Sequence, residues 1–299
     1  MSARRLTLRA GRLELDVLPA VGGSIARFDA LAPDGRRQPL LRGTAEDYDD
    51  VLGAACFALV PFANRVRGGR FLCDGQEIRL ARNLAGDASP LHGQGWRAAW
   101  SVASAQDDRL ELVYAHDAGE WPWRYEARQR IALSPEGLSI DLCCRNLSAS
   151  AMPCGLGLHP YYPCTKDTVL DTGVSSAWTV DADVLPVAEV PATGRYGLRN
   201  RPICGQDLDN GFAGWDGAAR IIWPERALSL QLASADAAYF QVYAPAQGGF
   251  FAAEPVQNAN AALNAPQDQW SQLGIRMLAQ GESRRLLARF TASRWIATG

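Results

Sequence analysis

Lysine is almost absent from this chain: Lys166 is the only one, and arginine supplies the rest of the 30 basic residues. Against 32 acidic residues they leave a net charge of −2, dispersed along the whole length. That excludes the electrostatic footprint of a nucleic-acid or anionic-membrane binder. The arginine surplus reads as the codon bias of a GC-rich genome. Long apolar runs are missing as well. Polar residues interrupt each hydrophobic stretch before it reaches spanning length, and no apolar h-region follows Arg4 and Arg5. The seven cysteines, Cys56, Cys73, Cys143, Cys144, Cys154, Cys164 and Cys204, contain no C-x-x-C pair. Cys143 and Cys144 are neighbours in an alternating segment, where adjacent side chains point to opposite faces. This argues against a disulfide framework and a zinc site, and predicts reduced thiols in a cytoplasmic protein.

What is present is a period of two. Leu6 and Leu8, then Leu13, Leu15 and Val17, alternate with polar residues as half-buried strands do. Tyr125 to Ile131 alternates, Ser134-Pro135-Glu136-Gly137 supplies a turn, and Leu138 to Leu142 alternates again, which predicts a hairpin. Leu228 to Leu232, Tyr239 to Tyr243 and Leu286 to Phe290 continue the pattern. Helical spacing is never sustained; short helices are expected near Glu46 to Leu52 and Asp268 to Leu273. With no linker, repeat or low-complexity tract over 299 residues, one large antiparallel sandwich across 1–299 is favoured. The competing organisation is two smaller β-domains meeting near Asp167 to Asp171.

Histidine is scarce too, with three in the chain, yet two sit in Gly/Pro/aromatic frames: Leu91-His92-Gly93-Gln94-Gly95-Trp96 and Gly157-Leu158-His159-Pro160-Tyr161-Tyr162. Histidine titrates near neutrality and is the default proton donor or acceptor, though a hydrogen-bonded core histidine is the plainer alternative. The segment Asn64-Arg65-Val66-Arg67-Gly68-Gly69 offers an amide and a guanidinium able to bind hydroxyl groups. Glu254, after an apolar run and before Pro255, reads as a strand-end carboxylate that partial desolvation would turn into a base. Asp209-Asn210-Gly211 reads as a turn carrying a carboxylate. His116 reads as a surface or turn residue.

Taken together, Ala20-Val21-Gly22-Gly23-Ser24-Ile25, Asn64-Arg65 with Gly68-Gly69-Arg70-Phe71, Leu91-His92-Gly93, Gly157-Leu158-His159-Pro160-Tyr161, Asp209 to Phe212 and Glu254-Pro255 occur in an order that resembles the aldose 1-epimerase family, the galactose mutarotases. The resemblance implies an all-β, single antiparallel β-supersandwich and a cofactor-independent isomerase, with no metal, that interconverts the α and β anomers of a monosaccharide. It implies Glu254 as the base on the anomeric hydroxyl and His159 as the acid on the ring oxygen, on either side of the C1–O5 region. His92 would support them, while Arg65, Asp209 and Asn64 would hold sugar hydroxyls. Trp96, Tyr161 and Trp215 could pack on apolar sugar faces or simply fill core. A monomer or weak homodimer is expected.

Two features depart from the galactose enzymes. Pro160-Tyr161-Tyr162-Pro163 replaces an aromatic-Phe-Asn-Leu run, and Gly214-Trp215-Asp216-Gly217 follows the aspartate motif. Both leave the sugar open. A hexose 6-phosphate would call for a pair of arginines at the rim, for which Arg67, Arg70 and Arg97 are candidates. A non-catalytic carbohydrate-binding or sensing protein on the same sandwich is the alternative of another class.

Overall fold

The computed structural model describes residues 4–44 and 48–296, in which strands dominate. The N-terminal alternation becomes Leu6–Ala10 and Leu13–Leu18, extended by Ser24–Leu31 and Arg37–Pro39 into a four-stranded sheet. The predicted hairpin forms as Tyr125–Ser134 paired with Gly137–Asn146, register Tyr125 to Asn146 through Ser134 to Gly137. Every second residue of Tyr125–Ser134 is buried, as the alternation requires. This hairpin lies within a nine-stranded sheet that also contains Ser101–Ala105, Arg109–His116, Val169–Thr172, Arg201–Pro202, Ala218–Trp223, Leu228–Ala233 and Ser283–Arg294. The segment weighed as a domain boundary, Asp167 to Asp171, runs into the strand Val169–Thr172, in the same sheet as residues well before and after it.

An eight-stranded sheet carries the site. Its main order is Pro186–Pro191, Ser176–Val180, Leu208–Ala213, Tyr239–Ala244, Phe250–Val256, Gly157–Leu158 and Ala58–Leu59, with Tyr161–Pro163 also pairing with Phe250–Val256. Pairing between these strands is antiparallel. One hydrophobic cluster draws on each of these three larger sheets: Leu15 and Phe28 from the first, Leu142 and Phe290 from the second, Phe240 and Phe251 from the third. A smaller cluster, including Phe57, Leu59, Trp96, Tyr161 and Val256, is separate from it. Among the described residues no helix is long and apolar enough to cross a membrane.

Three local expectations need correction. The helices near Glu46 to Leu52 and Asp268 to Leu273 are single 3-10 turns, Val51–Gly53 and Gln267–Gln269; Glu46 itself lies outside the described residues. Segments this short do not repay helix nucleation, and Asp50 caps the first turn by accepting the Leu52 N–H. Asp209-Asn210-Gly211 is not a turn but part of the strand Leu208–Ala213. Finally, Cys164 and Cys204 form a disulfide, so the thiols are not all reduced. Forty residues separate the two in sequence, and only the fold brings their Cα atoms to 5.6 Å.

Candidate acid–base site

Side-chain alternation on three neighbouring strands builds the floor of the site. Asp209 lies opposite Tyr243, Gly211 opposite Gln241, and Gln241 opposite Glu254. The period of two therefore places Asp209, Gln241, Tyr243 and Glu254 on one face. Gly211 leaves room there for the Gln241 side chain, whose Nε2 donates to Asp209 Oδ1 at 2.8 Å. Glu254 sits inside the strand Phe250–Val256 rather than at its end, and only 2% of it is exposed. That is a stronger desolvation than its position before proline suggested.

The walls come from loops. His159 follows the short strand Gly157–Leu158, and its Nε2 lies 3.3 Å from Glu254 Oε1. Phe57 stacks on the His159 ring at 4.7 Å and on Trp96 at 5.5 Å, while Tyr161 packs against His159 at 4.5 Å. His92 and Asn64 both have a left-handed backbone, φ 65° for each. They hold each other there: His92 N–H donates to the Asn64 carbonyl at 3.0 Å, and Asn64 N–H donates to His92 Nδ1 at 3.2 Å. Histidine and asparagine tolerate this conformation better than most residues, and such strain concentrates at functional sites. Because Nδ1 accepts, the neutral His92 ring carries its proton on Nε2 and is a donor. The His92 and His159 ring centroids are 5.5 Å apart and nearly perpendicular, close enough to serve one small ring.

Together these groups line a cavity of about 270 Å³. It contains His92, His159, Glu254, Arg65, Asp209 and Asn64, with Trp96 and Tyr161. Trp215 does not line it; its ring stacks on Phe240 and its Nε1 donates to Thr172, so it is core. His116, far from being a turn residue, lies in the strand Arg109–His116, stacks on Tyr125 and bonds to Tyr114 and Trp121. Sequence reading missed Gln241, Tyr243, Phe57 and Asp87. Gln241 had a signal, as a polar residue inside an apolar strand. Asp87 had none: it meets Arg65 Nε at 2.9 Å only through the fold. A larger cleft of about 540 Å³ runs along the nine-stranded sheet, but its Glu111 is paired with Arg128 and Arg130 and it holds no histidine.

Burial sets the electrostatics. It pushes the Glu254 carboxyl well above the usual carboxylate value; Asp209 adds to this and Arg65 partly offsets it. It pushes His159 down to about 3, with the charge of Arg42 acting in the same direction. His92 is held well below the ordinary imidazole range by burial, His159 and Arg65. Asp209 is raised by burial against the opposing pull of Arg65 and Gln241. Glu254 Oε2, Gln241 Oε1 and Trp96 Nε1 are buried without a hydrogen-bond partner. Unpaired buried polar atoms are costly, so several around one cavity point to a polar ligand. Among the described residues no group of three or more His, Cys, Asp or Glu is placed to hold a metal ion.

A buried carboxyl–imidazole pair in a polar cavity thus lies on an antiparallel supersandwich of the galactose mutarotase-like fold. The chain belongs to the aldose 1-epimerase family, whose family model matches residues 4–291. It is 34% identical to the uncharacterized protein YphB of Escherichia coli strain K12 over 291 residues, covering 93% of this chain and 94% of that one. A solved structure from Escherichia coli K12 superimposes with a TM-score of 0.88 at 32% identity, over 97% of this chain and 99% of the other. A galactose mutarotase-like protein of Clostridium acetobutylicum shares the fold at a TM-score of 0.85 and 18% identity, over 96% and 94%.

Proposed function

We propose that this protein, acting as a single domain, is a mutarotase that opens and recloses the pyranose ring of an aldose by concerted proton transfer. The observation that carries this reading is the buried contact of 3.3 Å between His159 and Glu254. Glu254 takes the proton of the anomeric hydroxyl, and the O1 electrons form the aldehyde. The C1–O5 bond breaks, its electron pair stays on O5, and His159 delivers a proton there. Rotation about C1–C2 and the reverse transfers give the other anomer, with no net consumption of protons. O1 and O5 are bonded to the same carbon, so acid and base need not flank the ring: two adjacent side chains reach both oxygens.

Glu254 and His159 share one proton, and the competent state differs from the neutral pair only by moving it across their contact. Within the protein's own field, burial favours the neutral pair, with the proton on the carboxyl. Sugar hydroxyls bonded to the carboxylate would stabilise the ion pair that the reaction uses. His92 donates from Nε2, while Arg65, Asp209 and Asn64 hold ring hydroxyls.

Anomer exchange measured by NMR or polarimetry on a panel of free aldoses tests this. Glu254→Gln and His159→Ala should each lower kcat by about a hundredfold or more, the usual worth of a positioned acid or base. If both variants exchange anomers at the wild-type rate, proton transfer does not occur here. If the wild type binds sugars without speeding exchange, the protein is a carbohydrate binder.

A further inference from the structure

Beyond Val256 the strand that carries Glu254 gives way to an amide-rich loop, and three of its asparagines reach the segment that carries Asn64 and Arg65. Asn258, 2% exposed, accepts the Ala63 N–H at 3.1 Å and donates to the Ala63 carbonyl at 3.0 Å. Asn260 accepts the Arg65 N–H at 3.1 Å, while the Ala261 N–H donates to the Arg65 carbonyl at 3.2 Å. Asn264 accepts the Arg67 N–H at 2.6 Å and donates to the Arg67 carbonyl at 3.2 Å. Ala63, Arg65 and Arg67 thus have both backbone groups satisfied by this loop. An antiparallel strand would hold every second residue in the same way, but here side chains supply most of the bonds.

Asn260 does more than its two neighbours. It is 7% exposed, and its Nδ2 donates to the Val184 carbonyl at 2.8 Å, so it joins three segments distant in sequence. Val184 and Ala261 both have a left-handed backbone, φ 58° and 56°. A β-branched residue rarely adopts that conformation, and it persists only where the surroundings fix it. Arg65 is held along its length as well. Asn260 and Ala261 fix its backbone, and Asp87 takes its Nε at 2.9 Å. Among the described residues its two Nη groups have no partner, and Arg65 lines the acid–base cavity. A long side chain held at its root and at Nε has little rotamer freedom left to lose when it binds hydroxyls.

We infer that Asn260 is a positioning residue of the acid–base site: it anchors the Arg65 backbone so that the guanidinium meets the sugar. This rests on the mutarotase reading and adds to it a residue that does not touch the substrate. Asn264 makes equivalent bonds to Arg67, but Arg67 turns to Asp181 and the Pro186 carbonyl and does not line the cavity. It is the natural control.

The test is anomer exchange by NMR on the free aldose that wild type turns over fastest, with Asn260→Ala, Asn264→Ala, Arg65→Ala and the Asn260→Ala/Arg65→Ala double variant. Both asparagine variants should lower Tm. Only Asn260→Ala should raise KM, by about fivefold, the worth of one hydrogen bond. Its kcat should stay within about twofold, because Arg65 holds hydroxyls alike in the ground and transition states. In the Arg65→Ala background the same substitution should change KM by less than about twofold, whereas a general loosening of the cavity would persist there. Asn260→Ser keeps a polar group in the same space; it is the milder variant should Asn260→Ala not fold, and KM should rise in it too. A folded Asn260 variant with wild-type KM, an equal rise in Asn264→Ala, or an effect undiminished without Arg65 overturns the positioning role and leaves the mutarotase reading intact. A wild type that exchanges no aldose overturns both.

Discussion

Two regions of this molecule bury carboxylates, and they treat them in opposite ways. On the N-terminal sheet Asp16, 3% exposed, accepts from Thr7 Oγ1 at 2.7 Å and is paired with Arg27 at 2.8 Å and Arg5 at 3.3 Å. Beside it Glu14 is paired with Arg9 and Arg37, each at 3.0 Å. Burial would raise the Glu14 carboxyl, but those two arginines outweigh it and hold it below its usual value. At the acid–base site Glu254 is as deeply buried, has no ion-pair partner but a histidine, leaves Oε2 unpartnered, and titrates high. The first arrangement fixes charge in place; the second leaves a carboxyl unsaturated, as the proposed proton transfer requires. Burial alone is therefore not a sign of function; what sets Glu254 apart is an unsaturated carboxyl that meets a histidine and lines a cavity.

The largest effect expected from this contrast is an exchange of phenotypes. Glu254→Gln should lower kcat for anomer exchange by about a hundredfold or more with little loss of stability, since no arginine is orphaned. Asp16→Asn should do the reverse. It takes from the part-buried Arg27 its nearest counter-charge, costing about 3 kcal/mol, while kcat stays near wild type. Urea unfolding and exchange kinetics on both variants decide it. Asp16→Asn protein that is fully stable would break the comparison at its structural end.

The next effect is a matter of sign. Glu254 has its folded-state pKa raised above the ordinary 4.5, so its contribution to stability is present below that value and is lost as pH rises through the folded pKa. Glu14, lowered from 4.5, contributes above that value and loses its contribution as pH falls. Between about pH 5 and 8, then, Glu254→Gln should gain stability relative to wild type as pH rises. Glu14→Gln should already be at its full relative loss over that range and recover only below pH 4.5. His159, displaced from 6.5 to about 3, stabilises the fold above 6.5 and ceases to do so as pH falls toward 3. His159→Asn should accordingly flatten the acid side of the wild-type curve. Parallel curves for the Glu254 and Glu14 variants would show that the two carboxyls are not held differently.

Much of this was legible in the residues, and the rest failed for identifiable reasons. Alternation revealed the Tyr125–Asn146 hairpin because a half-buried strand must show it. The framed histidines, Asn64, Arg65, Asp209 and Glu254 stood out through unusual neighbours, and the fold brings all of them to one cavity. Asp209-Asn210-Gly211 misled because turn chemistry was read without its partner strand; the space above Gly211 is needed by Gln241. The Cys164–Cys204 bond, the Arg65–Asp87 pair and the side-by-side placing of His159 and Glu254 depend on contacts distant in sequence, where spacing carries no information.

The smallest expected effect extends the comparison from carboxylates to arginines. Arg27 is surrounded by Glu14, Asp16 and Asp29. Arg42, beside the acid–base site, has no carboxylate partner among the described residues: its Nε and Nη2 donate to the carbonyl of Ala54 and its Nη2 to that of Leu52, and its guanidinium lies 3.6 Å over the Tyr161 ring. Leu52 and Tyr161 both line the cavity, so Arg42 positions one wall of it, and its uncompensated charge acts on His159. Arg42→Gln removes both influences, and kcat should fall about threefold, the worth of a modest cation–π contact. The acid limb of the pH–rate profile should move upward, because His159 no longer feels a neighbouring cation. Arg42→Lys separates the two roles: it keeps the charge but not the planar fork that spans two carbonyls. It should restore the acid limb and not the rate. If lysine and glutamine shift the limb equally, the charge of Arg42 does not reach His159, and its role is confined to holding the Leu52 turn against Tyr161.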